Sequence, residues 1–162
     1  YDNPFWIVNL AKRFETNNRV FGSFVAEYEI SPWAKISFNI GRDHTSDFRI
    51  QEFEIGSRTA AAGRIINDNY FIDQSDAYLR IAGGGSLSSK INFSYFAGVN
   101  LFNYRSENVN ATGNSLALRG FVNLANAATV VSTTTTNRYR TLGVFGSAEF
   151  SYDGTLFWTI TG

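Results

Sequence analysis

Hydrophobic and polar residues alternate along RVFGSFVAEYEISPWAKISFNIGRD, Arg19 to Asp43, in two runs parted by Ser31-Pro32-Trp33-Ala34. In the first run Val20, Gly22, Phe24, Ala26, Tyr28 and Ile30 share one face. Arg19, Phe21, Ser23, Val25, Glu27 and Glu29 share the other. The second run sets Ala34, Ile36, Phe38 and Ile40 against Lys35, Ser37, Asn39 and Gly41. Such alternation marks strands whose two faces meet different environments. It returns at Ala77, Leu79 and Ile81 against Asp76, Tyr78 and Arg80, and then Gly83-Gly84-Gly85-Ser86 reads as a turn. KINFSYFAGVNLFNY is the clearest strand, with Ile91, Phe93, Tyr95, Ala97, Val99 and Leu101 on one side. RYRTLGVFGSAEFSY places Leu142, Val144, Gly146, Ala148 and Phe150 together. Tyr152-Asp153-Gly154-Thr155 signals a tight turn before a sixth strand carrying Leu156, Trp158 and Ile160.

The connections differ in length. SPWA, GGGS and YDGT are short, whereas roughly Asp43 to Phe71 and Tyr104 to Asn137 are long. Within the first long stretch, Phe48 to Ile55 has strand character. Within the second, Leu116 to Leu124 admits either a short helix or a strand. Short turns at one end and long loops at the other describe an antiparallel barrel of the outer-membrane type, and each run approaches the ~9–11 tilted residues of a span. Trp33, Tyr152 and Trp158 near the short turns fit an interfacial girdle. A soluble β-sandwich binding module or water-soluble barrel stays open on alternation alone. Two details favour lipid. The second faces mix Phe21, Val25, Phe96 and Phe145 with Ser, Asn, Gly and Glu. Turn signals every ~8–12 residues, usual in sandwiches, are absent.

Composition narrows the classes. The chain has 162 residues, 14 Lys+Arg and 14 Asp+Glu, so its net charge is near zero and no basic run points to nucleic acid. It has no cysteine, hence no disulfide framework and no thiolate metal site. No window reaches the ~18–20 apolar residues of a spanning helix. YDNPFWIVNLAKRF lacks the Met, apolar segment and cleavage site of a signal peptide, and LFWTITG stops inside a strand. Both ends read as cut.

Catalytic and metal chemistry finds little support. His44 is the one histidine and reads as a solvated loop residue. Asp68, Asp73 and Asp76 lack EF-hand spacing. GGGS opens no helix that would hold phosphate. Asn110-Ala111-Thr112 matches a glycosylation sequon, a short motif of little weight alone. No Ser/His/Asp set stands out, so no enzyme activity, metal or cofactor is expected. Binding is expected from loop aromatics and amides: Phe48, Phe53, Asn67, Asn69, Tyr70, Asn108, Asn110 and Asn123. The plainer reading is that most of these pack loop on loop.

NPFWIVN followed by NRVFGSFVAEYEISPWAKISFNIGRD resembles the barrel of SusC/RagA-type TonB-dependent transporters. There, an Asn-Pro-aromatic-aromatic segment precedes an Arg-x-x-Gly strand, and a turn with Trp leads to a strand ending near Gly-x-Asp. RYRTLGVFGSAEFSYDGTLFWTITG is similar to that family's basic pair, Gly-x-x-Gly-aromatic strand, short turn and Thr-Gly strand end, after which Arg-Asn-Asp continues. QSDAYLRIAGGGSLSSKINFSYFAGVN fits the order of strands between. The resemblance implies an all-β fold, part of a large antiparallel transmembrane β-barrel of about 22 strands with a plug, of which residues 1–162 supply about six. No plug and no TonB box can be identified in the chain. The resemblance also implies a bacterial outer-membrane location and TonB-driven import of oligosaccharides or peptides. The implied partners are membrane lipid, the remaining barrel and plug of the same protein, TonB through the N-terminal region, and a SusD-like surface lipoprotein. A passive outer-membrane porin is the alternative within membranes.

Overall fold

The computed structural model describes residues 2–162. A short helix α1 (Pro4–Leu10) is followed by β1 (Arg13–Ser31), β2 (Ala34–Phe53), β3 (Arg64–Ser88), β4 (Ile91–Leu116), β5 (Ala127–Tyr152) and β6 (Leu156–Thr161). A 3-10 turn, Leu124–Asn126, precedes β5. The strands form one antiparallel sheet in chain order, β1 to β6. Among the described residues no second sheet covers it, so the sandwich reading fails on architecture. No helix among the described residues is long and apolar enough to cross a membrane.

Three expected boundaries move. Gly83 to Ser86 lie inside β3, and the turn falls at Ser89-Lys90. These glycines serve close approach rather than reversal. A Cβ at Gly83 would overlap the Trp33 carbonyl, and one at Gly84 would stand 2.6 Å from the Phe93 carbonyl oxygen. The long connections are also mostly strand, because β2 runs to Phe53, β3 starts at Arg64, β4 runs to Leu116 and β5 starts at Ala127. What remains irregular is residues 54–63 and 117–126. Between Leu116, which ends β4, and Leu124, which opens the 3-10 turn, the chain is loop. The Asp-Gly turn forms as read: Asp153 (φ 51°) and Gly154 (φ 62°) both take left-handed conformations, as a type I′ hairpin needs.

The chain divides into two compact units. One gathers Tyr1–Val20, His44–Asp73 and Arg105–Arg138, and the other Phe21–Asp43, Gln74–Tyr104 and Tyr139–Gly162. In the first, Asn3 caps α1 by accepting from Phe5 N at 2.9 Å, and Pro4 occupies the first turn. Seven residues are too few to hold a helix alone. Trp6 Nε1 donates to Ser57 Oγ at 3.0 Å, and Ser57 is fully buried. Arg58 N donates to Asp2 Oδ1. Glu54, 4% exposed, accepts from Ile55 N and Gly120 N, each at 2.7 Å, tying the two loops together. Ile65 and Leu116 make the small apolar centre of this unit.

The second unit has almost no core, since Ala34 is its one buried hydrophobic residue. Phe24, Tyr28, Leu142, Val144, Trp158 and Ile160 are all exposed, Val144 by 76%. On this apolar face the hydrophobic or glycine positions span residues 20–30 in β1, 77–87 in β3, 91–101 in β4 and 142–152 in β5, eleven residues each. Ten steps of ~3.4 Å tilted by ~45° rise about 24 Å, the height of a barrel's lipid-facing band.

Candidate functional site

Parity assigns the second face. Odd residues of β1, β2 and β5 and even residues of β3 and β4 share it, and every cross-strand contact described here obeys that rule. In the second unit the Arg80 guanidinium lies 4.7 Å over the Phe96 ring, which meets Phe145 at 6.3 Å. Asn100 Nδ2 donates to both Asp76 oxygens at 3.1 Å. Tyr139 stacks on Tyr104 at 4.8 Å and meets Phe102 at 5.8 Å. This wall offers rings and amides without an apolar core behind them.

In the first unit the same face carries charge. Arg49 binds Asp47 at 2.5 Å and Glu15 at 3.4 Å, and its guanidinium lies 5.2 Å from the Tyr70 ring centre. The Asp47 hydrogen bond, foremost, raises the Arg49 pKa, so this cation is permanent. Arg13 donates to Gln51, and Asn110 Nδ2 donates to Asp68 Oδ1 at 2.7 Å. Asp47 Oδ1 and Arg49 Nε are buried without a protein partner.

The eight residues singled out from the sequence do not converge. Tyr70, Asn108 and Asn110 share the mixed face with Phe53 by parity. Phe48, Asn67 and Asn69 have the opposite parity, and Asn67 Oδ1 is buried and unpartnered. Asn123 caps the 3-10 turn by accepting from Ala125 N at 2.9 Å, so its work is local. Sequence reasoning missed Arg49, Asp47, Tyr104 and Tyr139, although the parity of Lys35 and Asn39, carried up β2, points to Asp47 and Arg49. His44 lies 3.3 Å from Asp73 on the apolar-face parity. Among the described residues no group of three or more His, Cys, Asp or Glu stands close enough to hold a metal ion.

A single-layer antiparallel sheet, apolar on one side and mixed on the other, is the sheet of a transmembrane β-barrel segment. The solved structures agree. One described as the RagAB peptide transporter superposes with a TM-score of 0.86 at 11% identity, covering 98% of this chain and 18% of that one. The RagAB peptide importer in its closed-closed state gives 0.84 at 11% identity over 94% of this chain and 18% of that one. Its open-open state gives 0.79 at 12% identity over 98% and 18%. The chain thus spans under a fifth of the length of the structures it matches. No family model matches it, and no curated protein does. At this identity the likeness establishes the fold.

Proposed function

We propose that the chain is a barrel segment of a TonB-dependent outer-membrane nutrient importer of the SusC/RagA kind, with peptides or oligosaccharides as cargo. The observation that carries this reading is the superposition over 98% of the chain on a peptide transporter, joined to eleven-residue apolar spans on a sheet with no covering layer. The mixed face is the solute side, and Phe53, Tyr70, Asn108 and Asn110 are its ligand contacts in the charged unit. Phe48, Asn67, Asn69 and Asn123 belong to loop packing or to the face met by a SusD-like surface lipoprotein. The Arg49–Asp47–Glu15 cluster suits the amides and termini of a peptide. The turns at Pro32-Trp33, Ser89-Lys90 and Asp153-Gly154 are periplasmic. The loops 54–63 and 117–126 are extracellular, where a binding surface is useful. Plug, TonB contact and the rest of the barrel lie elsewhere in the same protein.

The test is uptake in the source bacterium. Accumulation of labelled peptides or oligosaccharides should fall to background when the gene for this protein is deleted, and equally when TonB is removed. Uptake that survives loss of TonB, with open conductance of the purified protein in planar bilayers, would replace this reading with a passive porin.

A further inference from the structure

The apolar face ends on a level row. In the second unit the last apolar position on that face is Ile40 in β2, Ala77 in β3, Leu101 in β4 and Leu142 in β5. The next residues of the same parity are Arg42, Ser75, Asn103 and Arg140. Side-chain contacts fix three of them side by side. Asn103 Nδ2 donates to Ser75 Oγ at 3.3 Å, and Arg140 Nε donates to Asn103 Oδ1 at 2.6 Å. A Cβ on Gly41 would lie 4.0 Å from the Asp76 carbonyl oxygen, which sets Arg42 beside Ser75 across the antiparallel pair. Four neighbouring strands therefore turn polar at one height, and both strongly charged members are cations. Arg42 and Arg140 are exposed.

Of the arginines that donate to a neutral amide, Arg13 and Arg64 have the parity of the mixed face and Arg140 has that of the apolar face. Arg49 and Arg105 each meet a carboxylate. Arg140 is instead held by a neutral amide at Nε, which fixes the plane of the guanidinium and leaves its Nη donors for an anion. A planar fork of this kind matches phosphate oxygens. On the membrane reading, on which this inference rests, a phosphate just beyond the hydrocarbon belongs to a lipid headgroup. We propose that Arg42, Ser75, Asn103 and Arg140 form a binding row for a phosphate-bearing lipid headgroup in the leaflet on the loop side. Asn103 is the positioning residue, and the apolar residues below the row hold the acyl chains. Bound lipid then sets the height of the sheet in the membrane.

The full-length protein, purified from its native membrane and delipidated, is offered three probes: lipid A with both phosphates, lipid A stripped of phosphate, and inorganic phosphate. Bound lipid is counted by native mass spectrometry. Retention of the phosphorylated lipid alone is expected. With a basic residue at the surface contributing about fivefold in affinity, Arg140→Gln should weaken binding about fivefold and the Arg42→Gln/Arg140→Gln pair about 25-fold. Arg80→Gln, the same charge change on the mixed face, should leave binding unchanged. Heat-dependent gel mobility reports a folded barrel for each variant. If a variant misfolds, Asn103→Ala replaces it, and that change should also weaken binding. Folded variants that bind as wild type, or equal retention of phosphate-free lipid, would overturn the headgroup site. Displacement by inorganic phosphate at equal concentration would make it a free-anion site instead. Failure of the wild type to show a folded barrel in the membrane would remove the barrel reading itself.

Discussion

Replacing Asn126 by alanine should loosen the 117–126 loop without touching the sheet. The side chain is 7% exposed and makes three hydrogen bonds to backbone. Its Oδ1 accepts from Leu118 N at 2.9 Å, and its Nδ2 donates to the carbonyls of Leu118 at 2.7 Å and Phe121 at 2.6 Å. The backbone bonds Asn126 N to Asn123 O and Ala117 N to Asn126 O survive the change. Each lost bond contributes about 1 kcal/mol net. Leu118 and Phe121 are exposed, so water recovers part, and the total is about 2–3 kcal/mol. Local opening of the loop should then become roughly 30- to 150-fold more frequent, at ~1.4 kcal/mol per decade. Hydrogen–deuterium exchange at the Leu118 amide of the full-length protein reads this directly. Asn126→Asp keeps the acceptor but loses both donors and sets a carboxylate against two carbonyls, so it should be at least as damaging. Leu118 exchange within twofold of wild type in both variants would show that these bonds do not hold the loop.

Phe24 and Ser23 are adjacent in β1 and lie on opposite faces. Phe24→Arg should destabilise the full-length barrel by about 2–4 kcal/mol in lipid vesicles and Ser23→Arg by less than about 1 kcal/mol, measured by denaturant titration of vesicle-inserted protein; equal losses would contradict the face assignment. Gly83→Ala should destabilise by about 1–3 kcal/mol, because the new methyl meets the Trp33 carbonyl. Gly143→Ala, with nothing within 4 Å of its Cβ, should be silent within ~0.5 kcal/mol, both read as the unfolding temperature of the gel-mobility shift. Single cysteines at Thr59 and Ala125 should react with an impermeant maleimide on whole cells, while one at Lys90 should not; the reverse pattern would invert the topology. The 162-residue chain alone in water should show no cooperative unfolding, and a monodisperse monomer with a sharp transition would count against a lipid-facing sheet.

Strand existence and face were legible because Phe24, Ile36, Phe93 and Val144 sit in runs where only one face is apolar. The Asp153-Gly154 turn was legible because few other residues accept two successive left-handed conformations. Strand ends were not. Beyond the apolar band both faces are wet, so alternation fades, and the Asn, Thr and Ser of residues 105–116 and 127–137 look like loop while their backbone pairs as strand. Gly83 to Gly85 misled for the opposite reason: a glycine run that marks a turn by composition here allows backbone to approach backbone. The Asn3-Pro4 cap of α1 was readable by rule, though seven residues give no periodicity. In the candidate site, Tyr70 and Asn110 follow from type and position, whereas Arg49 and Asp47 gain meaning only once β2 is known to continue past Asp43.

The source of stability in the second unit decides its surroundings. Ordering a residue's backbone opposes folding by ~1–2 kcal/mol, and a soluble domain offsets this by burying apolar side chains. Here one small alanine is buried, while Phe24, Tyr28, Val144, Trp158 and Ile160 remain exposed on one face. A sheet in water with that balance has no term large enough to hold it. In hydrocarbon the terms change. The exposed apolar face is removed from water by the solvent itself, and each backbone N–H and C=O left unpaired becomes expensive, so strand pairing becomes obligatory. That requirement explains why β1 to β5 are so long and regular with so little core. It also frees the mixed face from packing, so Arg80, Asp76, Asn100 and the Tyr104–Tyr139 stack pair across strands on that face with no apolar core behind them.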